Sequence, residues 1–279
     1  MFNKIAIVTG ASSGFGLLSA IKLAESGFYV IAAMRNLQKK EHLQSLAKEK
    51  GVEKQIQYHQ LDVCSETSIH QFGLFLDELG QVDVLLNNAG YAGAGFVEEI
   101  PIEQYREQFE TNFFGLIAVT QKVIPIMRKQ KNGTIINMSS ISGLIGFPGL
   151  SPYVSSKFAL EGFSESLRLE LKPFGIDVYV IEPGSYKTNI WTTGKKVAEQ
   201  SLNRSSPYFS YMMKIEEQVE AGKKSFGNPE EIASLITTIA LKKKKQFRFP
   251  IGKGTKMMAR LKKLLPWSKI EKEILKRLG

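Results

Sequence analysis

Seven short apolar segments, separated by helix-forming stretches, constrain this chain of 279 residues more than any other feature. The segments do not alternate between apolar and polar residues, which is typical of strands buried on both faces of a sheet. They are Lys4–Val8, Tyr29–Ala33, Ile56–Leu61, Val82–Leu86, Thr134–Met138, Val178–Ile181 and Phe247–Ile251. Strands separated by helices pair in parallel through right-handed crossovers. The pattern predicts an α/β fold with one doubly wound parallel sheet of about seven strands and helices on both faces.

Two predicted helices and one long connection matter for the site. Helices are expected over Ile102–Lys129 and Tyr153–Leu171. The connection 185–227 follows the sixth strand, and a connection of that length often forms a lid over a binding site. We therefore expect the lid and the ends of the strands to lie close together.

The net charge of +10 comes from one end of the chain. Residues 242–279 hold fourteen Lys or Arg and two acidic residues, whereas residues 1–241 hold 23 basic and 25 acidic residues. The nearly neutral main body argues against nucleic acid as a partner. A single cysteine, Cys64, allows no intrachain disulfide, and no leader or membrane-spanning run is apparent. These features predict a cytoplasmic protein.

A glycine-rich turn follows the first strand and opens a helix. Gly10, Gly14 and Gly16 lie in Thr9-Gly10-Ala11-Ser12-Ser13-Gly14-Phe15-Gly16. Such a turn places backbone N–H groups and a helix N-terminus against a phosphate, where no side chain would fit. The alternative is a tight turn that needs glycine for its backbone alone. In its strand–turn–helix context, the turn predicts a dinucleotide site.

The end of the second strand predicts which dinucleotide is bound. Sites that prefer NAD place Asp or Glu there for the ribose hydroxyls, but this chain has Met34, Arg35 and Asn36. Arg35 can pair with a 2′-phosphate, and Ser13 and Asn36 can add contacts. The alternative is a solvated surface arginine. We expect NADP(H) rather than NAD(H).

Tyr153 and Lys157 are four residues apart, so they share one face of the predicted helix. An ammonium about 4 Å from a phenol contributes roughly 4 kcal/mol at an effective dielectric of 20, enough to bring a phenol pKa of about 10 toward neutrality. The spacing alone also occurs by chance. Ser140, at the end of the preceding strand, can hold a carbonyl oxygen.

Taken together, these motifs resemble the short-chain dehydrogenase/reductase family, whose domain has a Rossmann-type fold, over about residues 3–251. The matching segments, in family order and spacing, are the glycine-rich turn, Asn87-Asn88-Ala89-Gly90, Asn112, Asn137-Met138-Ser139-Ser140, Tyr153 with Lys157, and Pro183-Gly184-x3-Thr188. The first forty residues look most like the NADP(H)-preferring branch that includes steroid and retinol dehydrogenases.

The resemblance implies a role for each motif. Tyr153 would be the general acid or base, Lys157 would lower its pKa and bond the nicotinamide ribose, Ser140 would orient the substrate oxygen, and Asn112 would hold a water. No metal is required. The residues expected at the cofactor are Gly10, Ser12, Ser13, Gly14, Phe15, Gly16, Arg35, Asn36, Asp62, Val63, Asn88, Ala89, Gly90, Tyr153, Lys157, Pro183, Gly184 and Thr188.

Two segments are expected to wall the substrate site, 142–150 and 186–226. Their apolar residues are Leu144, Ile145, Phe147, Pro148, Leu150, Tyr186, Ile190, Trp191, Tyr208, Phe209, Tyr211, Met212 and Met213. Aromatic and methionine side chains suit a large, adaptable pocket, which favours an apolar carbonyl or alcohol. The alternative is that they close a lid against the core.

The C-terminal extension, residues 252–279, is expected to follow the catalytic domain of residues 1–251. Its pattern of apolar residues predicts two amphipathic helices separated by Pro266. The apolar residues of the first helix are Met257, Met258, Leu261, Leu264 and Leu265, and those of the second are Ile270, Ile274 and Leu278. The extension either packs on the protein with a basic face in solvent or makes a weak peripheral contact with an anionic membrane. The family resemblance implies a homo-oligomer.

The sequence therefore predicts an NADP(H)-dependent oxidoreductase that interconverts a carbonyl and an alcohol. One alternative is a non-catalytic NADP(H)-binding sensor or partner protein. The other is an epimerase or dehydratase of the extended relatives, which the short chain and the glycine spacing disfavour.

Overall fold

A computed structural model describes residues 4–191, 194–242 and 244–276, except for the Trp191 side chain. Leu278, expected on the last helix, lies outside the described residues. The strands are β1 Ile5–Thr9, β2 Tyr29–Met34, β3 Ile56–Gln60, β4 Val84–Asn87, β5 Ala92–Ala94, β6 Gly133–Met138, β7 Ile176–Pro183, β8 Lys195–Val197 and β9 Arg248–Ile251. The helices are α1 Gly14–Glu25, α2 Glu41–Glu49, α3 Glu66–Leu79, α4 Ile102–Phe109, α5 Gly115–Gln130, α6 Ser151–Leu171, α7 Phe209–Gly222, α8 Glu230–Leu241, α9 Thr255–Leu264 and α10 Trp267–Leu275.

Seven strands form one parallel sheet in the order β3-β2-β1-β4-β6-β7-β9. Alternate strand residues face two apolar layers, because successive side chains of a strand point to opposite faces. Val8 and Leu86 pack in the layer with α1, α2 and α8, whereas Ile7 and Leu85 pack in the layer with α3, α5 and α6. The predicted doubly wound α/β fold is confirmed, and it is followed by the helices α9 and α10.

The carboxyl ends of β1 and β4 meet where the order of the strands reverses. The chain leaves β1 toward β2 on one side, and β4 lies on the other side. Ligands of open α/β sheets bind in the crevice at such a reversal. The fold therefore places the glycine-rich turn after β1 beside the segment that follows β4.

The structure departs from the predicted elements in two places. The helix expected over Ile102–Lys129 is divided by a π-helical turn at Glu110–Phe114. The long connection 185–227 contains β8 and α7, and β8 pairs in parallel with β5 in a second, two-stranded sheet. Three-residue strands carry too little periodicity to be recognised in a sequence.

No helix in the described part of the chain is long and apolar enough to span a bilayer.

Candidate active site

The turn between β1 and α1 depends on its glycines. Gly10 and Gly14 have φ angles of +65° and +54°, which side chains disfavour. A Cβ atom on Gly16 would lie 2.4 Å from the carbonyl oxygen of Gly10. Asn88 closes the turn from the other side, because its Nδ2 donates to the carbonyl oxygens of Thr9 at 3.0 Å and Gly10 at 3.3 Å. The result is a fixed backbone cradle.

The N-terminus of α1 opens into the same cradle. Its N-cap, Ser13, makes no side-chain capping bond, and the first turn contains no acidic residue. The first N–H groups of a helix lack partners within the helix and attract anions. The cradle therefore suits a phosphate group, as the binding of a dinucleotide cofactor at this position would require.

A cleft of about 680 Å³ runs along this edge of the sheet. Twelve of the residues expected at the cofactor line it, namely Gly10, Ser12, Ser13, Gly14, Phe15, Arg35, Asp62, Val63, Asn88, Ala89, Gly90 and Thr188. Gly16 and Asn36 do not line the cleft. Gly16 lies behind the turn, and the Asn36 Oδ1 instead accepts from the backbone N–H of Gln38 at 2.9 Å.

Two cations line the cleft at the end of β2. Arg35 and Lys39 are both exposed there, and positions 34–36 contain no carboxylate. The pattern at the end of the second strand does not identify Lys39. A short 3-10 helix at Leu37–Lys40 brings it back beside Arg35, and four-residue spacing next to a strand end is the signal that would have identified it.

A smaller cavity of about 80 Å³ adjoins the cleft and contains the expected catalytic residues. Asn112, Ser140, Tyr153 and Lys157 line it, with Pro183, Gly184 and Met138. The two spaces share six lining residues, which are Phe15, Asn88, Gly90, Tyr91, Thr188 and Ile190. A ligand that extends along the cleft would therefore end at these side chains.

Tyr153 and Lys157 lie one turn apart on α6, and both are buried. The Lys157 ammonium donates to the carbonyl oxygen of Met138 at 2.8 Å and lies 5.6 Å from the centroid of the Tyr153 ring. Burial raises the pKa of Tyr153 to about 12, against the weaker opposing effect of the hydrogen bond with Ser140. Burial also lowers the pKa of Lys157 to about 8, although Glu161 raises it.

These values correct one expectation. The four-residue spacing predicts that Lys157 lowers the pKa of the Tyr153 phenol, but in this structure the loss of hydration dominates and the phenol pKa is raised. The phenol is consequently protonated throughout the neutral range. In this state Tyr153 can donate a proton but is a poor acceptor.

Asn112 is held by the π-helical turn at Glu110–Phe114. Its Oδ1 accepts from the backbone N–H of Tyr91 at 3.1 Å, and its Nδ2 donates to the Tyr91 carbonyl oxygen at 2.9 Å. A longer contact of 3.4 Å joins Nδ2 to the Ser156 hydroxyl. The direct partner of Asn112 is thus the segment after β4, which was not foreseen. π-Helical turns of this kind often occur at functional sites.

A cluster of charges that includes the buried Glu161 and Glu182 lies behind Lys157. Glu161 follows it by one turn of α6, and the Arg248 Nε from β9 lies 2.9 Å from Glu161 Oε2 and 3.3 Å from Glu182 Oε1. The Arg248 Nη2 also pairs with Glu165 at 2.7 Å. Burial raises the pKa of Glu161, and it raises the pKa of Glu182 to about 8.

The expected substrate walls are only partly brought to the cavity. Tyr186 and Ile190 line it, but no residue of 142–150 does. Tyr186 is a buried anchor, since its ring packs edge-on against Phe15 at 5.6 Å and its hydroxyl donates to Glu231 at 3.2 Å. In the lid, Met212 is buried and Tyr208 stacks on Phe96 at 4.4 Å. Met212 and Tyr208 therefore pack against the body instead of lining the cavity.

A family model described as short chain dehydrogenase matches residues 4–198. The uncharacterized oxidoreductase YusZ of Bacillus subtilis (strain 168) is 52% identical over 279 residues, which are 100% of this chain and 99% of the relative. The 3-ketodihydrosphingosine reductase of Bacteroides thetaiotaomicron is 33% identical and covers 95% of this chain and 94% of its own. Human retinol dehydrogenase 8 is 39% identical over 71% of this chain and 63% of its own.

Solved structures agree with the fold. A short-chain dehydrogenase from Streptomyces avermitilis superposes with a TM-score of 0.80 at 29% identity, covering 97% of this chain and 98% of that one. A variant of actinorhodin polyketide ketoreductase solved with NADPH gives a TM-score of 0.71 at 30% identity, covering 85% of this chain and 90% of that one.

Proposed function

We propose that this chain, which belongs to the short-chain dehydrogenase/reductase family of oxidoreductases, reduces a carbonyl group to an alcohol with NADPH. A nicotinamide cofactor is implied by the fold of the family. The observation that carries the proposal is the protonated, buried Tyr153 phenol beside Ser140, at the closed end of the nucleotide-sized cleft.

The cleft contains residues that could bind each part of the cofactor. The cradle of the glycine-rich turn and the N-terminus of α1 would hold the pyrophosphate. Asp62 and Val63 line the cleft where an adenosine would extend, and Thr188 and Gly184 border the catalytic end. NADPH supplies the hydride when bound.

The chain's own residues would provide the proton and the orientation. The Ser140 hydroxyl donates to the carbonyl oxygen and fixes its position. Tyr153 Oη donates its proton to that oxygen as negative charge develops there, so that hydride and proton together convert C=O to CH–OH. The phenolate that remains is stabilised by the Lys157 ammonium on the same face of α6. We propose that Asn112 positions Tyr91 and the cavity wall.

The preference for NADP(H) rests on Arg35 and Lys39. Both line the cleft at the end of β2, where a carboxylate would favour the unphosphorylated ribose. Two cations can form charge-assisted hydrogen bonds with a 2′-phosphate. The similarity to a ketoreductase solved with NADPH adds support.

An apolar substrate is supported by two observations. Phe15, Met138, Tyr186 and Ile190 line the small cavity. The related proteins named 3-ketodihydrosphingosine reductase and retinol dehydrogenase 8 act, by those names, on molecules with long apolar portions. We propose a ketone or aldehyde that carries an apolar chain or ring.

We also propose that residues 1–251 form the catalytic domain, that 252–279 form a separate extension, and that the protein self-associates. Exposed Phe114 and Phe158, from the π-helical turn and the neighbouring α6, offer apolar surface for a second copy.

The central test is a screen of apolar and polar carbonyls with NADPH, following its absorbance. Tyr153→Phe should lower turnover at least a hundredfold while NADPH still binds, because the phenol is the proton donor. Tyr58→Phe is the matched control, since the Tyr58 hydroxyl has no hydrogen-bond partner in the described structure. Unchanged turnover in Tyr153→Phe would refute the mechanism.

The same screen separates the alternatives. NADPH binding without turnover of any carbonyl would favour a sensor or partner protein. A product that keeps its oxidation state would favour an epimerase or dehydratase.

A further inference from the structure

The C-terminal helix α9 carries two faces of different character. Thr255 and Ala259 are buried against the body of the protein. Met257, Leu261 and Leu264 lie at intervals of four and three residues, so they form one stripe, here called the apolar stripe. Met257 is 63% exposed and Leu264 is 79% exposed. The helix therefore leaves an apolar face in solvent although another face already packs.

Basic residues run along one side of the apolar stripe. Lys256, Arg260 and Lys263 share that side of α9 at intervals of four and three, and all three are exposed. No Lys or Arg in residues 252–276, all of which the structure describes, forms an ion pair within the protein. The Lys256 and Arg260 charges next to the stripe are thus available to an external anion, whereas Lys263 is also close enough to Glu182 to lower the pKa of that carboxyl.

The second helix, α10, extends this surface. It buries none of its residues, and Trp267 and Leu275 are both about half exposed. The Lys262 ammonium lies 4.5 Å from the centroid of the Trp267 ring, which joins the start of α10 to α9. An exposed tryptophan beside lysines is suited to the boundary between water and lipid headgroups.

We propose that α9 and α10 dock on the surface of an anionic lipid bilayer, with the apolar stripe entering the headgroup region and the basic side chains meeting lipid phosphates. The combination of exposed apolar residues and unpaired cations on one helix favours this partner. A second copy of the chain is a poorer occupant, because residues 242–279 carry a net charge of +12 and would repel each other. Nucleic acid is also a poorer partner, because it would contact the basic residues and leave the apolar stripe exposed to water.

The docking surface begins at the wall of the catalytic cavity. Gly184 lines that cavity, and a Cβ atom added to it would lie 2.4 Å from the Thr255 Oγ1 at the first position of α9. A Cβ atom added to Gly252, just before α9, would lie 3.1 Å from the ring of Tyr186, which is also in the wall. A bilayer bound by the exposed face of α9 would therefore be separated from this wall by the width of one helix, whatever substrate the site takes.

Sedimentation of the full chain with lipid vesicles tests the proposal. Vesicles of phosphatidylcholine with 30% phosphatidylglycerol should bind the protein at least tenfold more tightly than pure phosphatidylcholine, and added salt should weaken binding. Leu261→Ser with Leu264→Ser should lower the affinity at least tenfold, as should Lys256→Glu with Arg260→Glu. Turnover of a water-soluble carbonyl should be unchanged in both, which separates this result from a failure of the proposed function.

Matched controls come from exposed positions outside the extension. Leu169→Ser on α6 and Lys48→Glu on α2 should leave vesicle binding unchanged. Equal binding to both vesicle types, or equal binding by the stripe variant and the unaltered protein, would overturn the proposal. So would a change of oligomeric state without vesicle binding, or a preference for double-stranded DNA over anionic vesicles in competition.

Discussion

The Arg248 Nε donates to Glu161 Oε2 at 2.9 Å and so joins the last strand of the sheet to the catalytic helix. Glu161 lies one turn beyond Lys157, and its negative charge raises the Lys157 pKa against the effect of burial. Glu165 and Glu182 also face Arg248. The charge on the lysine therefore depends on Glu161, which does not line the cavity where the lysine acts.

Glu161→Gln should move the alkaline limit of turnover to lower pH. The proposed mechanism needs the Lys157 ammonium, so activity is present below the Lys157 pKa of about 8 and lost above it. Removing the nearby negative charge lowers that pKa further. A change of one unit would cut the protonated fraction at pH 8 about fivefold. The pH profile of kcat measures the effect.

Glu165→Gln is the control for this prediction, because Glu165 pairs with the same arginine but is largely exposed. Its pH profile should match that of the unaltered protein. A profile that is identical in Glu161→Gln as well would show that Glu161 does not act through Lys157.

Glu182→Gln should make stability less dependent on pH. Burial and the charge of Glu161 raise the Glu182 pKa from 4.5 to about 8. Between these values the folded protein holds a proton that the unfolded chain has released, so the free energy of unfolding falls as pH rises. The difference is on the order of a few kcal/mol at most, or roughly 5 °C in Tm.

Thermal unfolding from pH 5 to pH 9 measures this difference. Tm of the unaltered protein should fall across the range more steeply than that of Glu182→Gln, whereas the exposed Glu170→Gln should follow the unaltered protein. Parallel curves for all three proteins would contradict the raised pKa.

Arg35→Ala and Lys39→Ala should each weaken NADPH binding by about tenfold to a hundredfold and leave NADH binding nearly unchanged. A charge-assisted hydrogen bond to a phosphate contributes about 1.5–3 kcal/mol. Lys40→Ala is the control, since Lys40 lies over the Tyr58 ring at 5.6 Å and does not line the cleft. Fluorescence titration gives the Kd values, and equal losses for the two nucleotides would argue against a 2′-phosphate site.

Gly16→Ala should weaken both nucleotides and lower Tm, because its Cβ would collide with the Gly10 carbonyl oxygen and with Asn88. Gly162→Ala on α6 is the matched control. A Cβ there meets no atom within 4 Å, and alanine favours a helix by about 1 kcal/mol, so Tm should rise slightly. Unaltered NADPH affinity in Gly16→Ala would mean that the cradle does not hold the pyrophosphate.

Motifs that depend on one local rule could be predicted from the sequence. The glycine spacing, the parallel sheet implied by strands that helices separate, and the shared face of Tyr153 and Lys157 each follow from short-range geometry. Lys39, the clamp of Asn112 on Tyr91, and the position of Arg248 behind Lys157 could not be predicted. Each joins segments far apart in the chain or depends on a turn with no distinctive composition.

The phenol pKa could not be predicted for a different reason. Spacing shows that an ammonium is near, but it does not show how much water both groups lose. In Tyr153 the loss of hydration is the larger effect, and it reverses the expected direction. The number of apolar residues that line the cavity could not be predicted either. A sequence does not show whether a residue of the lid faces the cavity or the core.

The π-helical turn at Glu110–Phe114 has a consequence for insertions and deletions. It adds one residue to the helical path, so the side chains of α5 are rotated by about 100° from where a regular helix would place them. Leu116, Val119 and Val123 face the core in that rotated phase, while Asn112 still reaches Tyr91. A regular α-helix, with or without the extra residue, could keep either the core contacts of α5 or the hydrogen bonds between Asn112 and Tyr91, but not both. Loss of a single residue within this turn would therefore let a regular α-helix form with the packing surface of α5 kept, at the expense of the contact between Asn112 and Tyr91.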